Sequence, residues 1–273
     1  MPGTTRAGEP RAPLHLDRGD RGDRVDRIGS AGWSLPRAQW REFPAEGSHL
    51  ARYAQVFDAV EIDTSFYRPH RRETYERWAA STPAAFRFAV KLPQAVTHER
   101  RLVDAMAPFE EFLAQAGGLG DRLGVLVVQL PPSLAFDAAV VRRFLAAMRR
   151  RHAGAVVLEP RHRSWFTPQA DALLAGFEVA RVLADPVLFD QAAAPGGWPG
   201  LVYLRLHGSP RRYWSAYGDA LLARLAQRLR LATEEGARCW CIFDNTAGGE
   251  AVGNALTLRR LLQNRRPIRG DTT

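Results

Sequence analysis

Eight short apolar runs, at residues 28–33, 59–64, 86–91, 125–130, 155–159, 180–185, 202–207 and 239–244, recur along the chain and constrain its fold more than any other feature. Most are rich in β-branched or aromatic residues and too short for a buried helix, so they read as strands. Helical patterns fall between them near 47–57, 72–80, 108–117, 137–151, 165–176, 219–232 and 250–264, with a weak or absent helix between the sixth and seventh runs. Phe136-Asp137 offers a cap for the 137–151 pattern, and Ser164 one for a helix starting near Trp165. This alternation within 273 residues predicts an α/β fold: a single-domain (β/α)8 TIM-type barrel over 27–266. A doubly wound open sheet is the alternative, but its dinucleotide fingerprint is missing, since Gly29 and Gly32 stand at the wrong spacing.

The flanks read differently. Residues 1–26 are mostly Gly, Pro, Arg and Asp, the composition of a disordered tail, and 267–273 are expected to form a flexible C-terminal tail. No window approaches the roughly 18 uncharged apolar residues that cross a bilayer, and no apolar segment of signal-peptide type opens the chain. A cytoplasmic protein with no membrane partner is the expectation. Cys239 and Cys241 lie two apart on one side of a strand, which is awkward for a disulfide and too few ligands for zinc. They are expected to be small buried hydrophobes.

A net charge of +9 and a pI near 10.4 allow an anionic partner, either a small substrate or nucleic acid. The basic residues are almost all arginine, however, so arginine-biased composition accounts for much of the charge by itself. Lys91 is the only lysine. The composition gives no indication of oligomeric state.

Strand side chains alternate, and in a barrel one face meets the helices while the other fills the interior. Putting Val60 and Ile62 outward leaves Glu61 and Asp63 inward. Phe88 and Val90 leave Lys91; Val128 and Leu130 leave Gln129; Val156 and Leu158 leave Glu159. Leu204 and Leu206 leave Arg205 and His207, and Cys241 and Phe243 leave Asp244. Asp185 is expected inward at the end of the sixth run. Interior charges are costly unless paired or solvated at a mouth, so this ring predicts a site at the C-terminal end of the barrel.

Carboxylates beside histidine and lysine suit acid–base chemistry at neutral pH. Glu159 and His207 are the acid–base candidates, Lys91 and Arg205 neutralise developing negative charge, and Glu61 orients them. Arg205, Arg161, His162, Gln129, Asp244, Asn245, Trp165 and Trp33 are candidate substrate contacts. The expected activity is hydrolysis or isomerisation of an anionic substrate, phosphate-bearing or carbohydrate-like. No cofactor is required by any motif. A divalent metal held by His162, His207, Glu61, Glu159, Asp185 and Asp244 is a competing reading, which the neighbouring arginines and lysine oppose. It implies a metal-dependent phosphodiesterase or nuclease-like enzyme. A third reading is a non-catalytic nucleic-acid or ligand-binding barrel, prompted by the Arg211-Arg212-Tyr213-Trp214 loop.

Several motifs carry a resemblance in order along the chain: Ile28-Gly29-Ser30-Ala31-Gly32-Trp33-Ser34, Val60-Glu61-Ile62-Asp63-Thr64-Ser65-Phe66-Tyr67, Gln129-Leu130-Pro131-Pro132-Ser133, Glu159-Pro160-Arg161-His162-Arg163-Ser164-Trp165, Tyr203-Leu204-Arg205-Leu206-His207-Gly208 and Asp244-Asn245-Thr246-Ala247-Gly248-Gly249. The chain from about Arg27 to Leu262 resembles the YecE-like family, domain of unknown function number seventy-two. The resemblance implies a TIM-type barrel with its site at the strand C-termini, and supplies no reaction. Asp63 and Asp244 stand where that family usually carries Asn, and Pro160 where it carries an apolar or aromatic residue.

Overall fold

The computed structural model describes residues 26–264. The tails expected at 1–26 and 267–273 lie, apart from Asp26, outside the described residues. The strands are β1 (Arg27–Ser30), β2 (Ala59–Ile62), β3 (Arg87–Lys91), β4 (Leu123–Gln129), β5 (Ala155–Glu159), β6 (Val179–Arg181), β7 (Leu183–Asp185), β8 (Gly196–Gly197), β9 (Leu201–Leu206) and β10 (Arg238–Phe243). The helices are α1 (His49–Tyr53), α2 (Arg72–Ala80), α3 (Met106–Ala116), α4 (Ala138–Arg149), α5 (Pro168–Gly176), α6 (Asp219–Glu234) and α7 (Ala251–Gln263).

Parallel pairing runs β2-β3-β4-β5-β6 in one arc and β1-β10-β9-β7 in the other. Two joints close the ring. At the first, the Gly32 N–H donates to the Glu61 carbonyl at 2.9 Å, and Ala31 bridges Glu61. At the second, β6 and β7 form one broken stave: β6 pairs with β5, the Val182 N–H donates to the Leu158 carbonyl at 2.9 Å, and β7 then pairs with β9. All eight staves are parallel, as expected for this barrel. Between the sixth and seventh staves there is no α-helix among the described residues, only a 3-10 turn at Asp190–Ala192 and β8, which runs antiparallel to β6.

Two apolar clusters separate the faces. Val60, Ile62, Phe88, Val90, Val128, Leu158, Leu206, Cys241 and Phe243 pack with the helices. Ala59, Ala89, Val127, Val157, Tyr203, Trp240 and Ile242 fill the interior. The parity of these strands is therefore as read from the sequence, except that Asp185, expected inward, shares the outward side of Leu183; Cys239 and Cys241 are buried free thiols on the helix side. Burial pushes both thiols up, Cys239 to about 11.

The barrel floor needs space as well as apolar surface. Tyr203 and Trp240 stack inside it at 5.8 Å. A Cβ at Gly124 would lie 2.9 Å from the Trp240 ring, and one at Gly29 would lie 2.1 Å from the Ala59 carbonyl oxygen. Glycine at these two positions allows the bulky indole and the close β1–β2 joint. Asp137 caps α4, accepting from Ala139 and Val140. Ser164 does not cap a helix: α5 begins later, at Pro168 behind Thr167, and Ser164 instead accepts the Phe136 N–H at 2.7 Å. It ties the loop after β5 to the loop after β4. No described helix is long and apolar enough to cross a membrane.

Candidate active site

Arg205 stands at the centre of the barrel mouth with no exposed surface. Its position on β9 follows from parity, two residues beyond Tyr203 on the inward face. Nη2 donates to Glu61 Oε1 at 2.6 Å and Nη1 to Glu159 Oε2 at 2.5 Å. Gln129 Oε1 accepts from Nη1 at 3.3 Å, both Asp63 oxygens lie 3.3 Å from Nη2, and Asp244 Oδ2 lies at 3.6 Å. Three other groups complete the frame. Tyr203 donates its hydroxyl to Glu61 Oε2 at 2.7 Å, Arg161 grips Glu159 Oε1 at 2.9 Å, and Lys91 Nζ lies 3.6 Å from Asp63. Lys91 also sits 4.3 Å above the Phe66 ring.

His207 is wholly buried beside this hub. Its Nδ1 pairs with Asp244 Oδ2 at 2.8 Å, while Nε2 has no hydrogen-bond partner among the described residues; the Glu159 oxygen is 3.8 Å away. The carboxylate fixes the tautomer with the proton on Nδ1 and leaves Nε2 available. Tyr213 covers the ring edge-on at 5.6 Å.

The charges explain where protons go. Glu61, Asp63, Glu159 and Asp244 face three permanent cations, Arg205, Arg161 and Lys91, so one further proton balances the cluster. Burial pushes Glu61 up to about 7, with the like charge of Asp63 adding to it, against the pull of Arg205. Burial alone would lower His207, but its hydrogen bond to Asp244 and the nearby negative charge of Glu159 outweigh this and raise it. Burial would likewise raise Glu159, yet Arg205, then His207 and Arg161, hold its carboxyl well below the usual range. Asp63 is also held down, burial being overcome by Arg205 and Lys91. The cluster thus contains two permanently ionised carboxylates and two groups, Glu61 and His207, suited to carry a proton near neutrality.

The structure brings Glu61, Lys91, Gln129, Glu159, Arg161, Arg205, His207 and Asp244 together, and leaves other candidates outside. Asn245 turns away, donating to the Ser215 carbonyl and to Asn254 Oδ1 at 3.0 and 2.9 Å. His162 is occupied by Ser164, with Nδ1 2.8 Å from its hydroxyl. Trp165 is fully enclosed, spends its N–H on the Leu134 carbonyl at 2.8 Å and packs the edge of Phe136, so it has no surface for a substrate. Asp185 points to the helix side, where it accepts the Tyr217 hydroxyl at 2.7 Å. Trp33 stays at the mouth, 5.0 Å from Trp78. In the loop after β9, Arg211 stacks on Trp214 and Arg212 on Tyr213.

Sequence reasoning missed Tyr203, Trp78 and His70. Tyr203 was within reach, since it shares the parity of Arg205. His70 reaches the mouth from the β2–α2 connection and Trp78 from α2, neither of which strand parity describes. Among the described residues no group of three or more His, Cys, Asp or Glu is disposed to hold a metal ion, because the carboxylates are turned toward Arg205, Arg161 and Lys91.

Fold and site together define the class: a (β/α)8 barrel whose C-terminal mouth closes over a buried acid–base cluster. The chain belongs to the family described as protein of unknown function DUF72, which matches residues 27–272. The UPF0759 protein YunF of Bacillus subtilis is 24% identical over 265 residues, spanning 86% of this chain and 93% of the relative. The UPF0759 protein YecE of Escherichia coli K12 is 33% identical over 99 residues, covering 36% of this chain and 35% of the relative. A DUF72 protein of Thermotoga maritima MSB8 superposes with a TM-score of 0.70 at 23% identity, over 87% of this chain and 99% of that one. One from Enterococcus faecalis V583 does so at 0.70 and 22%, over 87% and 95%.

Proposed function

We propose that this protein is an enzyme that hydrolyses or isomerises a small substrate bearing an anionic group, by proton transfer through His207. One observation carries the reading: a buried imidazole with Nδ1 fixed by a carboxylate and Nε2 without a hydrogen-bond partner among the described residues. That is the arrangement a general acid–base group needs, oriented through one nitrogen and unbonded at the other. The raised affinity of His207 for its proton suits it to donate as well as accept near neutral pH.

Glu159 takes a different role from the proton-transfer one expected of it. Both its oxygens are engaged by arginines and its carboxyl stays ionised, so it positions Arg205 and stabilises the His207 imidazolium. Arg205 has no free edge and acts as the brace of the mouth. The cations left for a substrate anion are Arg161 and Lys91, whose side chains keep 14% and 8% of their surface. His98 beside them stays neutral, since burial and the nearby charges of Lys91, Arg161 and Arg101 all lower it.

The test is a turnover screen against phosphomonoesters, sugar phosphates and lactones, followed by His207→Gln on any active substrate. A positioned proton-transfer group contributes roughly 10²–10⁴-fold to rate, and a loss of that order is expected with an unchanged far-UV spectrum. Undiminished turnover in a folded His207→Gln protein would refute the assignment.

A further inference from the structure

The mouth has a second compartment that the acid–base reading does not use. Between the loops following β1, β2 and β10 lies a cleft of about 450 Å³, lined by Trp33, Trp78, Glu61, Asp63, Asp244 and Thr246. This volume falls within the range of roughly 300–1,000 Å³ that small ligands occupy. Trp33 and Trp78 meet there at 73°, forming an apolar wall, while the carboxylates form a polar one and His49 and His70 also line the cleft.

Aromatic rings beside carboxylates would attract a cation if the carboxylates were unpaired. Here each already has a positive partner: Glu61 and Asp63 have Arg205, Asp63 also has Lys91, and Asp244 has His207. The net charge behind the cleft is therefore small. What remains unsatisfied is acceptor capacity. Asp63 is held ionised yet receives only long contacts, 3.3 Å from Arg205 and 3.6 Å from Lys91, and keeps 31% of its side chain exposed. An ionised carboxylate offers about four lone-pair sites, and those of Asp63 that are free face the cleft. With so little net charge behind it, and acceptors rather than donors facing outward, this wall offers an anion nothing to bind. A neutral ring with hydroxyl donors on its edge and C–H bonds on its face matches both walls at once.

We infer that this cleft binds a neutral sugar ring of the pyranose class, its C–H face on the Trp33–Trp78 corner and its hydroxyls donated to Asp63 and Asp244. This rests on the barrel mouth being the reaction site. Because Asp244 both lines the cleft and holds His207, a ring seated there lies next to the proton carrier. The anionic group of the substrate then extends past Asp63 toward Lys91 and Arg161.

Saturation-transfer NMR on the full chain tests this, with glucose, galactose, mannose and xylose as probes and choline and inorganic phosphate as contrasts. Transfer to the ring protons of at least one sugar is expected. Trp33→Ala should weaken it about ten-fold, the worth of one good aromatic contact, while Trp33→Phe keeps most of it. Where Trp33→Ala does not fold, Asp63→Asn provides the same test through loss of the charged acceptor, again about ten-fold. Sugar binding should persist in His207→Gln, so the two readings fail separately: the acid–base one on turnover, this one on binding. Absence of transfer to all four sugars, equal transfer in the native and Trp33→Ala proteins, or preferential binding of choline at the same residues each overturns the inference.

Discussion

Replacing Arg205 by methionine removes the brace on which every acidic group of the mouth converges. The guanidinium joins Glu61 at 2.6 Å, Glu159 at 2.5 Å, Asp63 at 3.3 Å and Asp244 at 3.6 Å, all from a fully enclosed position. Breaking one buried ion pair by removing a single partner costs about 3–5 kcal/mol, because the other charge stays buried without compensation. Two fully buried carboxylates lose their partner here, but Glu159 retains Arg161 and Glu61 takes up a proton readily. The losses therefore do not add in full, and about 3–5 kcal/mol is the working value. In a domain of this size about 1 kcal/mol moves Tm by some 2–4 °C, so a fall of roughly 6–20 °C is expected. The dependence on pH is the sharper readout. In the native protein the depressed Glu159 carboxyl contributes stability that is complete above the ordinary carboxylate range and is lost only as pH falls through its folded value. Without Arg205 burial dominates, the folded pKa rises, and the variant recovers stability as the carboxyls protonate. The gap in Tm between native and variant should therefore narrow from about pH 8 to about pH 5, as followed by circular dichroism melts. A gap under about 2 °C throughout, or one that widens toward acid, would refute the argument.

Glu61→Gln tests the raised carboxyl: its folded pKa of about 7 lies above the model-peptide value of 4.5, so its contribution is fully present below that value and is lost as pH rises through 7. Urea unfolding should show the native protein losing stability relative to Glu61→Gln across that window, and parallel curves would show that Glu61 does not titrate there. Trp165→Ala empties a fully enclosed site and should cost about 3–5 kcal/mol. Because Trp165 has no surface at the mouth, its KM for any identified substrate should change little once the protein is kept folded; a selective rise in KM would return it to the binding site. Gly29→Ala places a methyl 2.1 Å from the Ala59 carbonyl and should open the β1–β2 joint, seen as faster amide exchange at Gly32, whose N–H spans that joint. Unchanged exchange would mean that the backbone gives way elsewhere.

Strand parity is a local property, and it made most of the site legible. Small Ala59 and Ala89 face inward while Val60 and Val90 face the helices, so the residues that continue the inward rows, Glu61 and Lys91, could be placed without coordinates. The same counting placed Gln129, Glu159, Arg205, His207 and Asp244. Applied consistently it would also have placed Asp185: Ala180 and Val182 face inward, so Asp185 shares the outward parity of Leu183. The loops were not legible in this way. Trp165 and Ser164 are claimed by Leu134 and Phe136, about a tenth of the chain away, through contacts that no periodicity encodes.

The pairing within the ring was equally hidden, and it changes the chemistry most. A list of inward residues treats Glu61, Asp63, Glu159 and Asp244 as equivalent acids. Arg205 makes them different: it shares its fork between Glu61 and Glu159, Arg161 completes the ionisation of Glu159, and burial with the like charge of Asp63 leaves Glu61 able to hold a proton. His207 is distinguished from the rest by being bonded on one nitrogen only. The division between groups that stay charged and groups that exchange protons follows from which oxygen each arginine reaches. The guanidinium of Arg205 is therefore what sets Glu159 apart from His207: it occupies the carboxylate, while the imidazole keeps one nitrogen without a hydrogen-bond partner among the described residues.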